Sequence, residues 1–412
     1  MAVFRGFKAF RPSQDKQSLI PALPYDVMNS DEAREMVKGN PYSFLHVDKA
    51  EIDLPVDTNL YADCVYEKAK ENLDNLKNTG ALVQDSKPCF YIYRQIMNAR
   101  VQTGIVGCAS IDDYSNDIIK KHEHTLAKKE LDRIRHVDTC NANTGPIFLT
   151  YRKNDSISDI VNNWIDSHDC TYDFVADGVS QTVWIVDDES IVNRISSLFA
   201  TVPAMYIADG HHRCASAVKV GQKRREEYPA FTGEEEFNFF LAVAFADEDL
   251  EIMDYNRVVK DLNGYDKEAF ISRIENEFAV TKCDAQFKPD KKHTFGMFLD
   301  GQWYCLEAKK DIIDESNPVA RLDVSILQNY LLAPVLNIID PKNDDRIDFI
   351  GGIRGLDELE RRANTDMQLA FAMYPTTVDD LMAIADEGLI MPPKSTWFEP
   401  KLLSGLFIHS LD

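Results

Sequence analysis

The 412 residues include 68 acidic and 45 basic side chains, a net charge of −23, with 44% hydrophobic and 27% charged residues. That composition suits a globular chain with room for two domains, and its charge repels a polyphosphate backbone, so no nucleic-acid partner is expected. The eight cysteines stand singly with no CxxC pair, the first residues lack the apolar core of a secretory signal, and no run of about 18 apolar residues occurs. A cytoplasmic protein with reduced thiols, no zinc ribbon and no membrane span is the expectation.

In chain order, Asn29 and Ser30 cap a short helix that closes at Gly39. Leu60, Cys64, Ala69, Leu73 and Leu76 recur at helical spacing and predict a helix over 58–79, stopped by Gly80. Two apolar runs, 89–95 and 102–111, predict a β-hairpin. A polar, charge-dense helix is expected from about Asn116 to His136. The middle third reads as strand 181–188, helix 189–200, strand 203–208 and helix 213–220, followed by an acidic surface excursion over 224–236. The wholly apolar run 237–246 reads as a buried strand. Beyond it come helix 267–278, strands 294–299 and 303–307, helix 322–333, strand 347–350, helix 355–364, strand 368–373 and helix 376–387. The alternation predicts an α/β (α+β) fold with mixed sheets. No Pro/Gly/Ser-rich linker marks a boundary, which is placed between 246 and 265 to give an N-terminal domain of residues 1–255 and a C-terminal α/β domain of 256–412.

The segment 203–220 joins an apolar strand, a sharp polar loop and a helix of small residues. A helix start leaves N–H groups unpaired at the positive end of the dipole, and an anion placed there accepts them. Gly210 allows close backbone approach, and Arg213 supplies a planar fork for two phosphate oxygens. His211 or His212 can donate a hydrogen bond, accept a proton or carry charge. Asp209 can orient a histidine, bind Mg²⁺ or accept a proton from an attacking hydroxyl. A glycine after a strand is common and Arg213 could be a solvated helix residue, but two histidines and an arginine in an apolar corner are costly to bury unsatisfied.

Asp209-Gly210-His211-His212-Arg213, followed by Ala215 and Ala217, resembles the phosphate loop of the ParB/sulfiredoxin superfamily, in the DGHHR form of its free serine kinases. More widely, residues 22–27, 40–47, 122–133, 142–148 and 391–406, together with that loop, resemble a bacterial and archaeal domain-of-unknown-function family, numbered ten-fifteen. The resemblance implies a ParB/sulfiredoxin-like core in the middle of the chain, embellished at both ends, and a loop that holds nucleotide phosphates. Members of the family often lie in gene neighbourhoods with serine-synthesis enzymes, which points to serine or phosphoserine. One departure is Asn256-Arg257, where related sequences often carry a His-Arg pair, so a role for a histidine there is absent.

Read as a helix, 121–136 would put His122, Lys129 and Arg133 on one face, able to clamp a second phosphate or a carboxylate, with Glu123 as a base. The same charges suit a solvated helix laced with ion pairs. On a helix His122 and His124 would diverge by about 200°, so zinc is not expected. Lys394, Ser395, Thr396 and Lys401 offer ammonium and hydroxyl groups to an anion, or belong to a stiff, proline-rich C-terminal clasp. Tyr25 or Asp26 could line the pocket, whereas the glycines of 351–355 lack the following Walker lysine of a P-loop.

These residues suggest a phosphotransferase acting on a small hydroxyl substrate, serine or phosphoserine first, with ATP, ADP or pyrophosphate as co-substrate. Amides 210–213 and Arg213 would cradle the phosphate, Asp209 or Glu123 would activate the hydroxyl or Asp209 would hold Mg²⁺, and His211 or His212 would stabilise the transferring group. A phosphoserine phosphatase and a non-catalytic nucleotide- or phosphometabolite-binding regulator are the alternatives. In each case the partner is a small phosphorylated metabolite.

Overall fold

Nine stretches of the first 250 residues pair into one sheet. In chain order they are β1 (Phe4–Arg5), β2 (Phe90–Met97), β3 (Arg100–Ser110), β4 (Ile119–Lys120), β5 (Ile147–Tyr151), β6 (Tyr172–Ala176), β7 (Val179–Val186), β8 (Met205–Asp209) and β9 (Phe239–Ala246). The spatial order is β4-β8-β5-β9-β3-β2-β7-β6. Pairs β4–β8 and β5–β9 are parallel and the remaining pairs antiparallel. β3 outlasts β2, and β1 continues that side of it through Phe4↔Ala109 and Arg5↔Cys108. β9 has neighbours on both sides and packed faces, so every one of its residues is buried; that is why it carries no polar side chain.

The structure is a computed structural model that describes residues 1–412. The chain forms two units, Met1–Leu250 with Pro400–Asp412, and Glu251–Glu399. In the first, helices α1 (Asp63–Asn78), α2 (Ala127–Cys140), α3 (Asp155–Ser167), α4 (Glu189–Phe199) and α5 (His211–Glu227) accompany the sheet. Ile157 and Trp164 of α3, Ile195 and Phe199 of α4, and Cys214, Ala217 and Val218 of α5 share one core with Phe90, Leu149 and Phe240. A second core joins Val65, Ala69, Leu73 and Leu76 of α1 to Phe44, Cys140 and Ile408. Of the apolar stripe predicted for α1, Ala69, Leu73 and Leu76 are buried, whereas Cys64 is exposed and Leu60 is exposed ahead of the helix, which starts at Asp63 rather than 58.

The helix expected from Asn116 to His136 starts only at Ala127. Ile119–Lys120 is a strand that pairs with Met205 and Tyr206, and residues 121–126 are irregular. Ile119 and His122 are buried by that placement, and a helix could not offer its backbone to β8. His122, Lys129 and Arg133 therefore share no helix face. His122 is buried and His124 exposed in the irregular stretch, while on α2 Lys129 is exposed and Arg133 buried.

The second unit holds β10 (Tyr255–Val259), β11 (Phe278–Cys283), β12 (Thr294–Leu299), β13 (Gln302–Ala308), β14 (Ile347–Gly351) and β15 (Leu369–Met373), in the order β11-β13-β12-β15-β10-β14. Every pair is antiparallel. Leu359 of helix α6 (Gly355–Ala363) packs on Val258, Phe298 and Ala370 of this sheet. The stretch expected as helix 322–333 is α-helical over Asp323–Leu327 and continues as a π-helix over Gln328–Leu332. The result is an α+β fold in which the sheet of the first unit is mixed and that of the second is wholly antiparallel, and no helix is long and apolar enough to cross a membrane.

Candidate functional site

β8 buries Met205, Tyr206, Ile207 and Ala208, then slips register against β5 between Ile207 and Asp209. Such a bulge re-aims the side chain that follows it. Gly210 has φ +93° and turns the chain into α5 in a single residue. A Cβ there would stand 3.2 Å from Nε and Nη2 of Arg213, because the guanidinium folds back over the glycine. No side chain caps α5, and its first internal bond runs from the Cys214 N–H to the Gly210 carbonyl at 2.9 Å. The Gly210 N–H adjoins the Asp209 carboxylate and helps to keep it ionised.

Arg213 donates through Nη1 to the Pro146 carbonyl at 2.5 Å and through Nη2 to Asp209 Oδ2 at 3.3 Å, while its buried Nε has no acceptor. Lys401 brings Nζ to 3.9 Å from the same Asp209 oxygen. Burial pushes the Asp209 carboxyl up, but Lys401, Arg213 and His211 outweigh it and hold the group below its ordinary value. Burial alone would depress the Arg213 guanidinium; Asp209, Asp26, Tyr25 and Asp48 reverse that and hold it charged. About a third of the Asp209 side chain stays accessible (34%), so the corner opens to solvent.

Behind it lies a pair of buried rings, His122 and His211, edge to face with centroids 4.4 Å apart. Burial lowers His122 to about 4 and His211 well below its ordinary value, so both are neutral near pH 7. His211 Nε2 accepts from the His122 backbone N–H at 3.5 Å, which assigns its proton to Nδ1, 3.8 Å from Glu123 Oε2. His212 accepts from the Leu126 N–H through Nε2 at 2.9 Å, at the threshold of α2, and is a bolt between α5 and α2.

On its other side Arg213 lines a narrow recess with Arg133, Tyr25, Asp48, Thr144 and Gly145. Arg133 stacks over the Tyr25 ring at 4.0 Å and bonds Asp132 at 2.8 Å. Thr144 donates to Asp48 Oδ1 at 2.8 Å. The recess has room for about 20 Å³, little more than one water, so phosphate enters it only after a side chain moves.

The fold therefore gathers Asp209, Gly210, His211, Arg213, His122, Glu123 and Lys401 into one corner and joins Arg133 to it through Arg213. Lys129 points to solvent. Lys394, Ser395 and Thr396 belong to the second unit, where the Lys394 carbonyl accepts from Arg257 and Ser395 bonds Pro392 and Thr376. Asp48 and Thr144 were not singled out as site residues, although Thr144 lies within the family-like segment 142–148. The sole trace of Asp48 was a carboxylate directly after the apolar Leu45 and Val47.

A family model described as protein of unknown function (DUF1015) matches residues 4–325. No curated protein matches the chain. Among solved structures, a free serine kinase variant in complex with AMP is 14% identical over 74% of this chain and 90% of its own, with a TM-score of 0.38. A conserved hypothetical protein from Pyrococcus furiosus is 14% identical over 74% and 92%, at 0.35. SbnI with a C-terminal truncation, from Staphylococcus aureus, is 10% identical over 73% and 85%, at 0.39. These likenesses are too slight to transfer a fold or an activity. The family model spans most of the chain, from β1 into the second unit and including Asp209 to Arg213, and the protein belongs to that family of proteins of unknown function (DUF1015).

Proposed function

We propose that the chain is a phosphotransferase acting on a small hydroxyl substrate, with serine or phosphoserine as the first substrate to test and ATP, ADP or pyrophosphate as the phosphate partner. The observation that carries the proposal is the buried Nε of Arg213, without an acceptor, folded against the uncapped start of α5 with Lys401 beside the same Asp209. Phosphoryl transfer asks for fixed positive charge and N–H donors around the moving group, and this corner supplies both. The choice of serine rests on the resemblance of the DGHHR loop to that of free serine kinases.

The residues divide the work by their protonation. Asp209, held ionised by Lys401 and Arg213, is a poor proton acceptor and suits positioning of charge. Glu123 is 42% exposed and next to the Nδ1 side of His211, which suits acceptance of the substrate hydroxyl proton. No three His, Cys, Asp or Glu side chains form a metal cage; Asp209 would give Mg²⁺ a single protein oxygen, with phosphate oxygens and waters as its other ligands.

The full-length chain is to be screened by thermal shift with ATP, ADP, pyrophosphate, serine and phosphoserine, with and without Mg²⁺, and the hits assayed for turnover. The expected result is stabilisation by a nucleotide or pyrophosphate, transfer between it and serine, and loss of at least ~100-fold in turnover in Arg213→Ala. Phosphate release from phosphoserine with water as the only acceptor would make the protein a phosphatase. Stabilisation without product would make it a regulator, and no response to any of the five compounds would sink the phosphate site itself.

A further inference from the structure

Arg257 on β10 is 3% exposed and forms no ion pair. Its guanidinium donates through Nη1 to the Tyr255 carbonyl and through Nη2 to the Lys394 carbonyl, the latter at 3.0 Å. An arginine has five N–H donors, so the others have no protein acceptor. The buried arginines of the first unit are different: Arg133 bonds Asp132, and Arg213 bonds Asp209. A buried charge facing no opposite charge is costly to hold, and burial pulls this guanidinium down to about 10.

The missing counter-charge has a place to sit. Arg257 lines a cavity of about 340 Å³ within the second unit, walled largely by apolar side chains such as Leu332, Ile339 and Phe349. Ile339 is 69% exposed and lines this cavity, so the apolar body of a ligand seated there would cover it. The π-helix Gln328–Leu332 presents both of its end residues to the same space. Such segments are rare and recur at functional sites. Asp340 and Lys342 also line the cavity, and the Asp340 carboxylate is taken up within its own turn, accepting from the Lys342 N–H at 3.1 Å and from Asn343 Nδ2 at 2.7 Å. The stretch matched by the family model ends at residue 325, before most of these residues.

We propose that the cavity of the second unit binds a small organic monocarboxylate, its head group on Arg257 and its apolar body against Leu332, Ile339 and Phe349. A doubly charged phosphate fits less well, because Arg257 is the one buried cation at the cavity, Lys342 and Asp340 stand exposed at its edge with opposite charges, and the remaining wall is largely apolar.

Calorimetric titration of the full-length chain with acetate, butanoate, hexanoate, hexanamide and inorganic phosphate tests the site. Affinity should rise about fourfold for each methylene until the cavity is full. Hexanamide should bind at least tenfold more weakly than hexanoate, and phosphate should not compete with it. Arg257→Met should weaken hexanoate at least tenfold without lowering the melting temperature of the free protein. Ile339→Asp, at an exposed position that spares the fold, should weaken hexanoate more than acetate, because acetate meets only the added charge whereas hexanoate also loses apolar contact. Arg213→Ala should change none of this, which separates this site from the phosphate corner. Two results would overturn the proposal: no carboxylate binding to the unmodified chain, or hexanoate affinity unchanged by Ile339→Asp and by Arg257→Met. A sharp loss of stability in Arg257→Met, with no binding to the parent, would make Arg257 a strut between the Tyr255 and Lys394 carbonyls.

Discussion

A neutral histidine pair beside three charged groups makes the corner sensitive to acid. His122 takes a proton only near about 4 when folded, because burial penalises its charged form, but at its ordinary value of ~6.5 when unfolded. Between those values the unfolded chain binds more protons, so stability is full above the window and falls as pH drops through it. One such residue is worth on the order of 3 kcal/mol at the lower end. His211 and His136, also depressed by burial, act in the same direction. Asp209 is depressed too, and its contribution is lost only below the ordinary carboxylate range. The urea midpoint should therefore be lower at pH 5 than at pH 7, and His122→Gln should flatten that difference. An equally steep dependence in the variant would show that His122 is not the proton acceptor. At this scale the sequence was a good guide to identity: Asp209, Gly210 and Arg213 stand out as a loop motif. It was a poor guide to role, since nothing local tells that His211 faces Glu123 while its neighbour His212 turns to Leu126.

Between elements, the start of α2 is held from outside. Leu126 has no capping side chain of its own, and its N–H is satisfied by His212 from α5. His212→Ala should cost about 1 kcal/mol, the net worth of such a bond, and speed amide exchange over residues 121–127. Turnover should largely survive, since the contacts of Arg213, Lys401 and Asp209 are untouched; a loss as deep as that of Arg213→Ala would instead give His212 a part in the chemistry. Elements whose residues share one environment were legible in their main part: the wholly apolar β9 begins two residues later than its run, and α1 buries Ala69, Leu73 and Leu76 but begins at Asp63, leaving Leu60 and Cys64 exposed. The 116–126 stretch was not, because its conformation is set by Ile119 pairing with Met205, far along the chain. β5 and α3 also escaped, the first because a five-residue strand buried on both faces carries no alternation.

At the scale of the whole molecule, Pro400–Asp412 returns to the first unit. Phe407 and Ile408 are fully buried there, and Phe10 and Ile408 exchange backbone bonds at 3.0 and 2.9 Å. The same segment delivers Lys401. Ending the chain at residue 399 should therefore lower the melting temperature markedly, whereas Lys401→Ala should keep it and lose phosphate affinity. Calorimetry on both variants separates the two: equal losses of stability would make Lys401 a structural residue, and an unaltered truncation would mean the segment is not part of the fold.

By itself the sequence determined the α+β class, the buried central strand, the turn at Gly210 and the chemical endowment of the loop after β8. Each of these depends on residues within one turn or one strand of each other, where periodicity and backbone sterics act. Only the tertiary structure decided that Arg213 meets Pro146, Asp209 and Lys401, that Arg133 stacks on Tyr25 beside Asp48, and that Arg257 is buried with no carboxylate. Those outcomes depend on through-space charge and on burial, which bring together groups that the chain itself keeps far apart.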